Sequence, residues 1–242
     1  MPAVAGALAG RVVLIAGAHG GLGQAASIAS ARAGATVVLL GRKVPKLNRI
    51  HDAIVNEGGE ALLYPLDLEG ASPDDHAELA ARIESELGQL HGVLHCAADF
   101  NGLSPLHNTD PAAFARTLHV NVTAPCWLTQ ACLPLLKRAQ DASVVFAVDD
   151  PSRVTQAYWG GYGVAQQARA ALISILHAEL AAGPVRVSGL QPGPMRTSLR
   201  AKAYAEDSDR VSADPSVYAD ACVTLLSTGG APHRGRIWNA RP

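Results

Sequence analysis

Val12-Val13-Leu14-Ile15-Ala16-Gly17-Ala18-His19-Gly20-Gly21-Leu22-Gly23 decides how this chain folds. Five aliphatic residues, two of them adjacent valines, read as a buried strand; glycine then breaks the run, and a segment of helical period follows. A helix that starts straight out of such a turn leaves its first N–H groups unpaired and facing outward, which makes an anion site. Gly17, Gly21 and Gly23 stand in the spacing G-x-x-x-G-x-G. Gly17 suits the tight turn, Gly21 lets backbone approach a ligand, and Gly23 lets helix and strand pack closely. His19 and Leu22 sit within the same turn and belong to the same groove.

The pattern repeats outward from that stretch. Short apolar runs rich in β-branched residues occur at 36–40, 61–64, 92–96, 143–148, 185–190 and, more weakly, 236–238. Helical segments fall between them at 22–33, 45–57, 73–87, 111–139, 162–182 and 215–227, several opening on Pro or Asp and closing before Gly. This alternation predicts one α/β domain over residues 1–242, a mostly parallel, seven-stranded, doubly wound sheet of the Rossmann type with helices on both faces. The 111–139 helix carries Trp127, Leu128, Leu133, Leu135 and Leu136. That apolar surplus predicts core packing plus a helix-to-helix contact between subunits.

Composition excludes several classes of function. A formal net charge of −1 gives no basic surplus for nucleic acid or anionic lipid. No uninterrupted apolar run approaches the roughly 20 residues of a membrane span, and the apolar stretch at 2–9 has no basic leader, so the expected address is the cytoplasm. Cys96, Cys126, Cys132 and Cys222 form no C-x-x-C pair, as expected of buried thiols in a reducing compartment. The nine histidines show no ligand spacing, and Asp74-Asp75 and Asp149-Asp150 lack the pattern of a calcium loop, so no metal is expected. Small molecules and copies of the same chain remain as partners.

The second strand ends Leu39-Leu40-Gly41-Arg42. An acid at that position would bind the ribose hydroxyls of NAD, whereas a guanidinium suits a 2′-phosphate, so NADP(H) is favoured over NAD. Asp67 and Leu68 follow the third strand, where a carboxylate or an amide can meet the adenine; the competing reading is an acid that caps the next helix.

These segments, with Asn121 in His119-Val120-Asn121-Val122, Tyr162 in Trp159-Gly160-Gly161-Tyr162, and Pro192-Gly193-Pro194-Met195-Arg196-Thr197, resemble the short-chain dehydrogenase/reductase family over essentially the whole chain. The resemblance implies that Tyr162 is the proton donor or acceptor and that Asn121 holds a helix kink and a relay water. It also implies that Pro192, Gly193, Met195 and Thr197 line the nicotinamide and pyrophosphate, and that the protein is a homodimer or homotetramer. His95-Cys96-Ala97-Ala98 stands where the family has Asn-Asn-Ala-Gly, and the resemblance implies that Ala97 and Ala98 border the cofactor.

The departures fall mainly on the catalytic set. Ala16 replaces the threonine that opens the family's glycine turn, weakening the hydrogen bonds between sheet and turn. Asp149 replaces the serine thirteen residues before the tyrosine, and Gln166 replaces the lysine four after it. Residues four apart share a helical face, so position 166 lies beside the phenol; glutamine can bond a ribose but carries no charge to lower the phenol pKa. An ionised Asp149 at ~4 Å from a phenolate, at an effective dielectric near 20, adds a like-charge penalty of about 4 kcal/mol. Carbonyl reduction needs donors where oxygen gains negative charge, and here an acceptor is presented.

Ordinary carbonyl or alcohol turnover is therefore expected to be very slow or absent. Two escapes stay open: a protonated Asp149 acting as donor, with Asp150 exchanging places if the loop shifts by one residue, and a His95–Asp149 pair that titrates, set against a buried, satisfied His95. The rival readings of function are an active oxidoreductase with an altered Asp149/Tyr162/Gln166 relay, and a non-enzymic NADP-binding regulator. Residues 196–214, charged and aperiodic, read either as a flap over the site or as a solvated loop.

Overall fold

β1 (Val12–Ala16) is buried along its whole length, as a central strand covered on both faces must be. It pairs in parallel with β2 (Thr36–Gly41) on one side and β4 (Gly92–His95) on the other. β3 (Glu60–Pro65), β5 (Ala142–Ala147), β6 (Val185–Gln191) and β7 (Ile237–Asn239) complete a seven-stranded sheet, order β3-β2-β1-β4-β5-β6-β7, every pair parallel. These relations come from a computed structural model that describes residues 6–204 and 212–241. The expected readings at 2–5, and at 205–211 within the 196–214 segment, lie outside the described residues.

Strand alternation sorts the core into two layers. Val12, Leu14 and Ala16 face one, with residues of α3 (Pro73–Leu87), α5 (Ala124–Arg138) and α7 (Gly160–Glu179). Val13 and Ile15 face the other, with α1 (Gly21–Arg32), α2 (Val44–Asn56) and α8 (Ala219–Leu226). From β1 the chain winds outward to β3, then returns to β4 and winds the opposite way. The loops after β1 and β4 therefore part at the carboxyl ends of adjacent strands, and a crevice opens between them.

The long helix expected over 111–139 is interrupted. α4 (Pro111–Leu118) passes through a π-helical turn at His119–Thr123 before α5 begins. Pro125 has no N–H to return to Asn121 four residues earlier, so the Asn121 carbonyl is released from the helix. The Asn121 side chain pins the distortion: Nδ2 donates to the carbonyls of Thr117 and Asp99, each at 2.8 Å. The helix expected over 215–227 begins instead as a 3₁₀ turn, Pro215–Tyr218, and β4 stops at His95 because the next two amides, Cys96 and Ala97, both turn to the Ala16 carbonyl. A short helix absent from the sequence reading, α6 (Pro151–Val154), follows β5 and is capped by the Asp150 side chain. Among the described residues no helix is long and apolar enough to cross a membrane.

Candidate active site

A cavity of about 470 Å³ opens over the crevice; it is lined by the glycine turn, Arg42, Asp67, Leu68, Ala97, Ala98, Asp149, Tyr162, Gln166 and residues of the 192–197 segment, whereas Asn121, His95 and Asp150 do not line it. Asn121 is fully buried beneath it, with its amide and its main-chain carbonyl both engaged by protein groups.

At one end the walls are mainly backbone. Gly17 takes φ +84°, and a Cβ there would lie 2.5 Å from the Ala97 nitrogen. A Cβ on Gly23 would lie 2.2 Å from the Gly17 carbonyl, so neither position admits a side chain. α1 starts at Gly21 with no side chain capping it, and its first residues, Gly21, Leu22 and Gly23, line the cavity. The turn is held without a threonine: Gly17 and Ala18 amides donate to the Leu40 carbonyl at 2.9 and 3.0 Å, and Cys96 and Ala97 amides to Ala16 at 2.9 Å each. The weakening expected from Ala16 leaves these main-chain ties in place.

Beside the turn, Arg42 pairs with Asp67 at 3.3 Å and with Glu69 at 3.6 Å, all three half-exposed. Asp67 also accepts the Glu69 amide. Lys43 and Lys46 line the same end. His19 packs against Gly41 with its Nδ1 buried and unpartnered; burial, then Lys43, Lys46 and Arg42, holds its pKa below the ordinary histidine value. A turn that excludes Cβ atoms, an uncapped helix start and a cluster of cations fit a phosphate-bearing ligand.

The opposite end is built of side chains. The Tyr162 hydroxyl donates to Asp149 Oδ2 at 3.2 Å. Asp149 Oδ1 accepts from Arg153 Nη2 at 2.5 Å and from the Asp150 amide at 2.7 Å. Both N–H donors go to Oδ1, which leaves Oδ2 facing the phenol. Asp150 is turned elsewhere, to Ser152 and Arg241, so the acid beside the tyrosine is Asp149. Gln166 Oε1 accepts the Asp149 main-chain N–H at 2.9 Å. Phe100 and Trp159 stack on each other and flank the Tyr162 ring.

Burial raises the Tyr162 pKa above the ordinary tyrosine value and the Asp149 charge raises it further, while Arg169 and Arg153 oppose the rise. The phenol is therefore neutral at physiological pH.

His95 does not pair with Asp149. Its Nε2 meets Thr129 Oγ1 at 2.9 Å, and because that hydroxyl donates to Pro125, His95 must be the donor. Buried against Phe146, His95 has its pKa lowered to about 3 by burial first and Arg169 second. Cys96 beside it is pushed up to about 12 by burial and stays a thiol.

Sequence reasoning missed Arg153, Arg169, Lys43 and Lys46. Arg169 continues the Tyr162-Gln166 stripe, seven residues after the tyrosine, on a helix face that is otherwise buried. That spacing was the available signal. The Arg169 side chain donates to the carbonyls of Asn121 at 2.6 Å, Ala147 at 2.7 Å and Ala97 at 2.6 Å. Pro125 thus frees a carbonyl and Arg169 takes it.

Known proteins share this fold. YciK of Escherichia coli K12, described as an uncharacterized oxidoreductase, is 32% identical over 233 residues, covering 96% of this chain and 92% of its own. A short chain dehydrogenase structure from Shigella flexneri 2a, complexed with NADP, superposes with TM-score 0.93 at 31% identity, over 98% of this chain and 99% of that one. Another, from Escherichia coli CFT073 and complexed with NADPH, gives TM-score 0.91 at 33% identity over 97% and 98% of the two chains. The sequence model of the short chain dehydrogenases matches residues 11–208. This chain, with its parallel sheet, glycine turn and tyrosine on α7, belongs to the short chain dehydrogenase family.

Proposed function

We propose that this chain binds NADP(H) along the cavity, with the 2′-phosphate at Arg42, Lys43 and Lys46, and that it transfers hydride to ordinary carbonyls or from ordinary alcohols slowly or not at all. The glycine turn and the start of α1 would hold the pyrophosphate, and Arg42 would exchange its exposed, weak pairs with Asp67 and Glu69 for a charge-assisted bond to phosphate. The cofactor of the two superposed relatives supports this reading. When bound, NADP(H) supplies or accepts a hydride; the proton that must accompany it is the task of Tyr162.

The observation that carries the second half of the proposal is the bond from the Tyr162 hydroxyl to Asp149. A carbonyl being reduced needs that hydroxyl as donor, yet its proton is committed to a carboxylate. A buried phenol beside a negative charge also cannot act as a base near neutral pH. Losing effective proton transfer costs ~10² to 10⁴ in rate. The test is a panel of aldehydes, ketones and alcohols, with NADPH and NADP supplied to the unmodified protein. Robust turnover would refute the proposal.

One observation favours a second reading. Arg153 grips the far oxygen of Asp149, so Tyr162, Asp149 and Arg153 form a continuous line in which Arg153 offsets the acid's charge. On this reading the line is a different proton relay for an unusual substrate. Arg153→Gln would abolish an activity of that kind, and would leave a protein without it unchanged.

A further inference from the structure

Arg169 heads the largest fully buried side chains of the molecule, and it is a cation. Among the described residues it meets no carboxylate; its guanidinium is bonded only to the three carbonyls already named. Carbonyl dipoles offset part of the cost of burying such a charge, but buried charges are ordinarily paired. Five N–H groups are available and three are used. The two that remain are on Nη1 and Nη2, whose bonds are only partly buried, while the bond from Nε is fully buried. Arg169 also lines the cavity.

The place of the guanidinium along the cavity follows from Ala97. The Ala97 carbonyl accepts from Arg169, and its nitrogen lies where a Cβ on Gly17 would collide. Arg169 thus stands one residue from the glycine turn on one side and two helical turns from Tyr162 on the other. On the dinucleotide reading, a cofactor running from Arg42 to Tyr162 would pass Arg169 between its pyrophosphate and its nicotinamide ring.

We propose that Arg169 is a cofactor-binding residue whose two spare N–H donors take oxygens of the sugar between the pyrophosphate and the nicotinamide. This rests on the dinucleotide reading above. It gives the site a fixed charged donor there in addition to the neutral amide of Gln166, whose carbonyl oxygen accepts from the Asp149 backbone.

The experiment compares NADPH with 2′-phospho-ADP, which carries the phosphates but lacks the second sugar, in the unmodified protein, Arg169→Gln and Arg169→Lys. Binding is read from the fluorescence of Trp159, and folding from a thermal melt. The expected result is that Arg169→Gln weakens NADPH by about tenfold or more, the worth of a bond to a charged donor, leaves 2′-phospho-ADP unchanged, and is partly rescued by Arg169→Lys. Equal weakening of both ligands in a folded variant, or no weakening of either, would overturn the proposal. If Arg169→Gln does not fold, a crystal structure of the unmodified protein with NADPH decides. A second-sugar oxygen within about 3.5 Å of Arg169 Nη1 or Nη2 supports it, and no such contact overturns it. If the unmodified protein binds neither ligand, the dinucleotide reading fails and this inference falls with it. Binding of both ligands with Arg169 indifferent sinks the inference alone.

Discussion

The two ends of one cavity are built from different materials. The phosphate end is made of backbone: glycines that admit no Cβ, an uncapped helix start and main-chain bonds between strands. The reacting end is made of side chains, where a substitution replaces the chemistry outright. Ala16 stands where the family has threonine, and the turn keeps its shape because amides of Gly17, Ala18, Cys96 and Ala97 do the holding. Asp149 and Gln166 stand where the family resemblance implies a hydroxyl and an ammonium, and the tyrosine hydroxyl beside them donates to Asp149. On the proposed reading, the fold preserves a nucleotide groove while its proton chemistry changes.

The sharpest way to break this comparison is to restore the reacting end. Asp149→Ser with Gln166→Lys should raise carbonyl reduction by NADPH about 10²- to 10⁴-fold over the unmodified protein, with either single change giving much less. If the double variant gains nothing, the difference between the ends does not lie in those two residues.

A second test examines the floor beneath the reacting end. His95 has an ordinary value of 6.5 that falls to about 3 in the fold. The unfolded chain then takes up a proton that the folded one refuses, so stability is full above 6.5 and is lost as pH falls from 6.5 toward 3. Relative to His95→Gln, the unmodified protein should lose about 1.4 kcal/mol per pH unit across that window, the slope of one proton. Urea unfolding at several pH values measures it, and parallel curves for the two proteins would contradict the buried, neutral assignment.

At the phosphate end, Gly23→Ala should cost roughly 1–3 kcal/mol of stability and most of the NADPH binding, because its Cβ would sit against the Gly17 carbonyl. A variant that melts and binds like the parent would show the turn to be looser than described. The smallest effect belongs to Arg42→Ala, which should weaken NADPH about tenfold and leave NADH unchanged. Loss of both equally would move the 2′-phosphate elsewhere.

Much of this was legible in the sequence, and the reasons are specific. Val12 to Gly23 specified strand, turn and helix because glycine spacing and strand period are local properties. The thirteen-residue step back from Tyr162 found Asp149 because a strand end and a helix start are fixed to each other by the sheet. What stayed hidden depends on contacts distant in sequence or on a break in helical period. Arg153 reads as a loop charge until α6 folds it back on Asp149. Arg169 reads as one more helical arginine until Pro125 is seen to free the Asn121 carbonyl that receives it. That proline sits inside a run whose apolar pattern alone predicts one unbroken helix.

The central claim is that the Tyr162 phenol remains protonated, and it can be observed directly. Tyrosine ring carbons can be followed by NMR as pH is raised in the NADPH-loaded protein, with Tyr162→Phe identifying the resonance. The account predicts a Tyr162 signal that stays in its neutral form beyond about pH 10, the ordinary tyrosine value. A Tyr162 signal that titrates well below that value would contradict it.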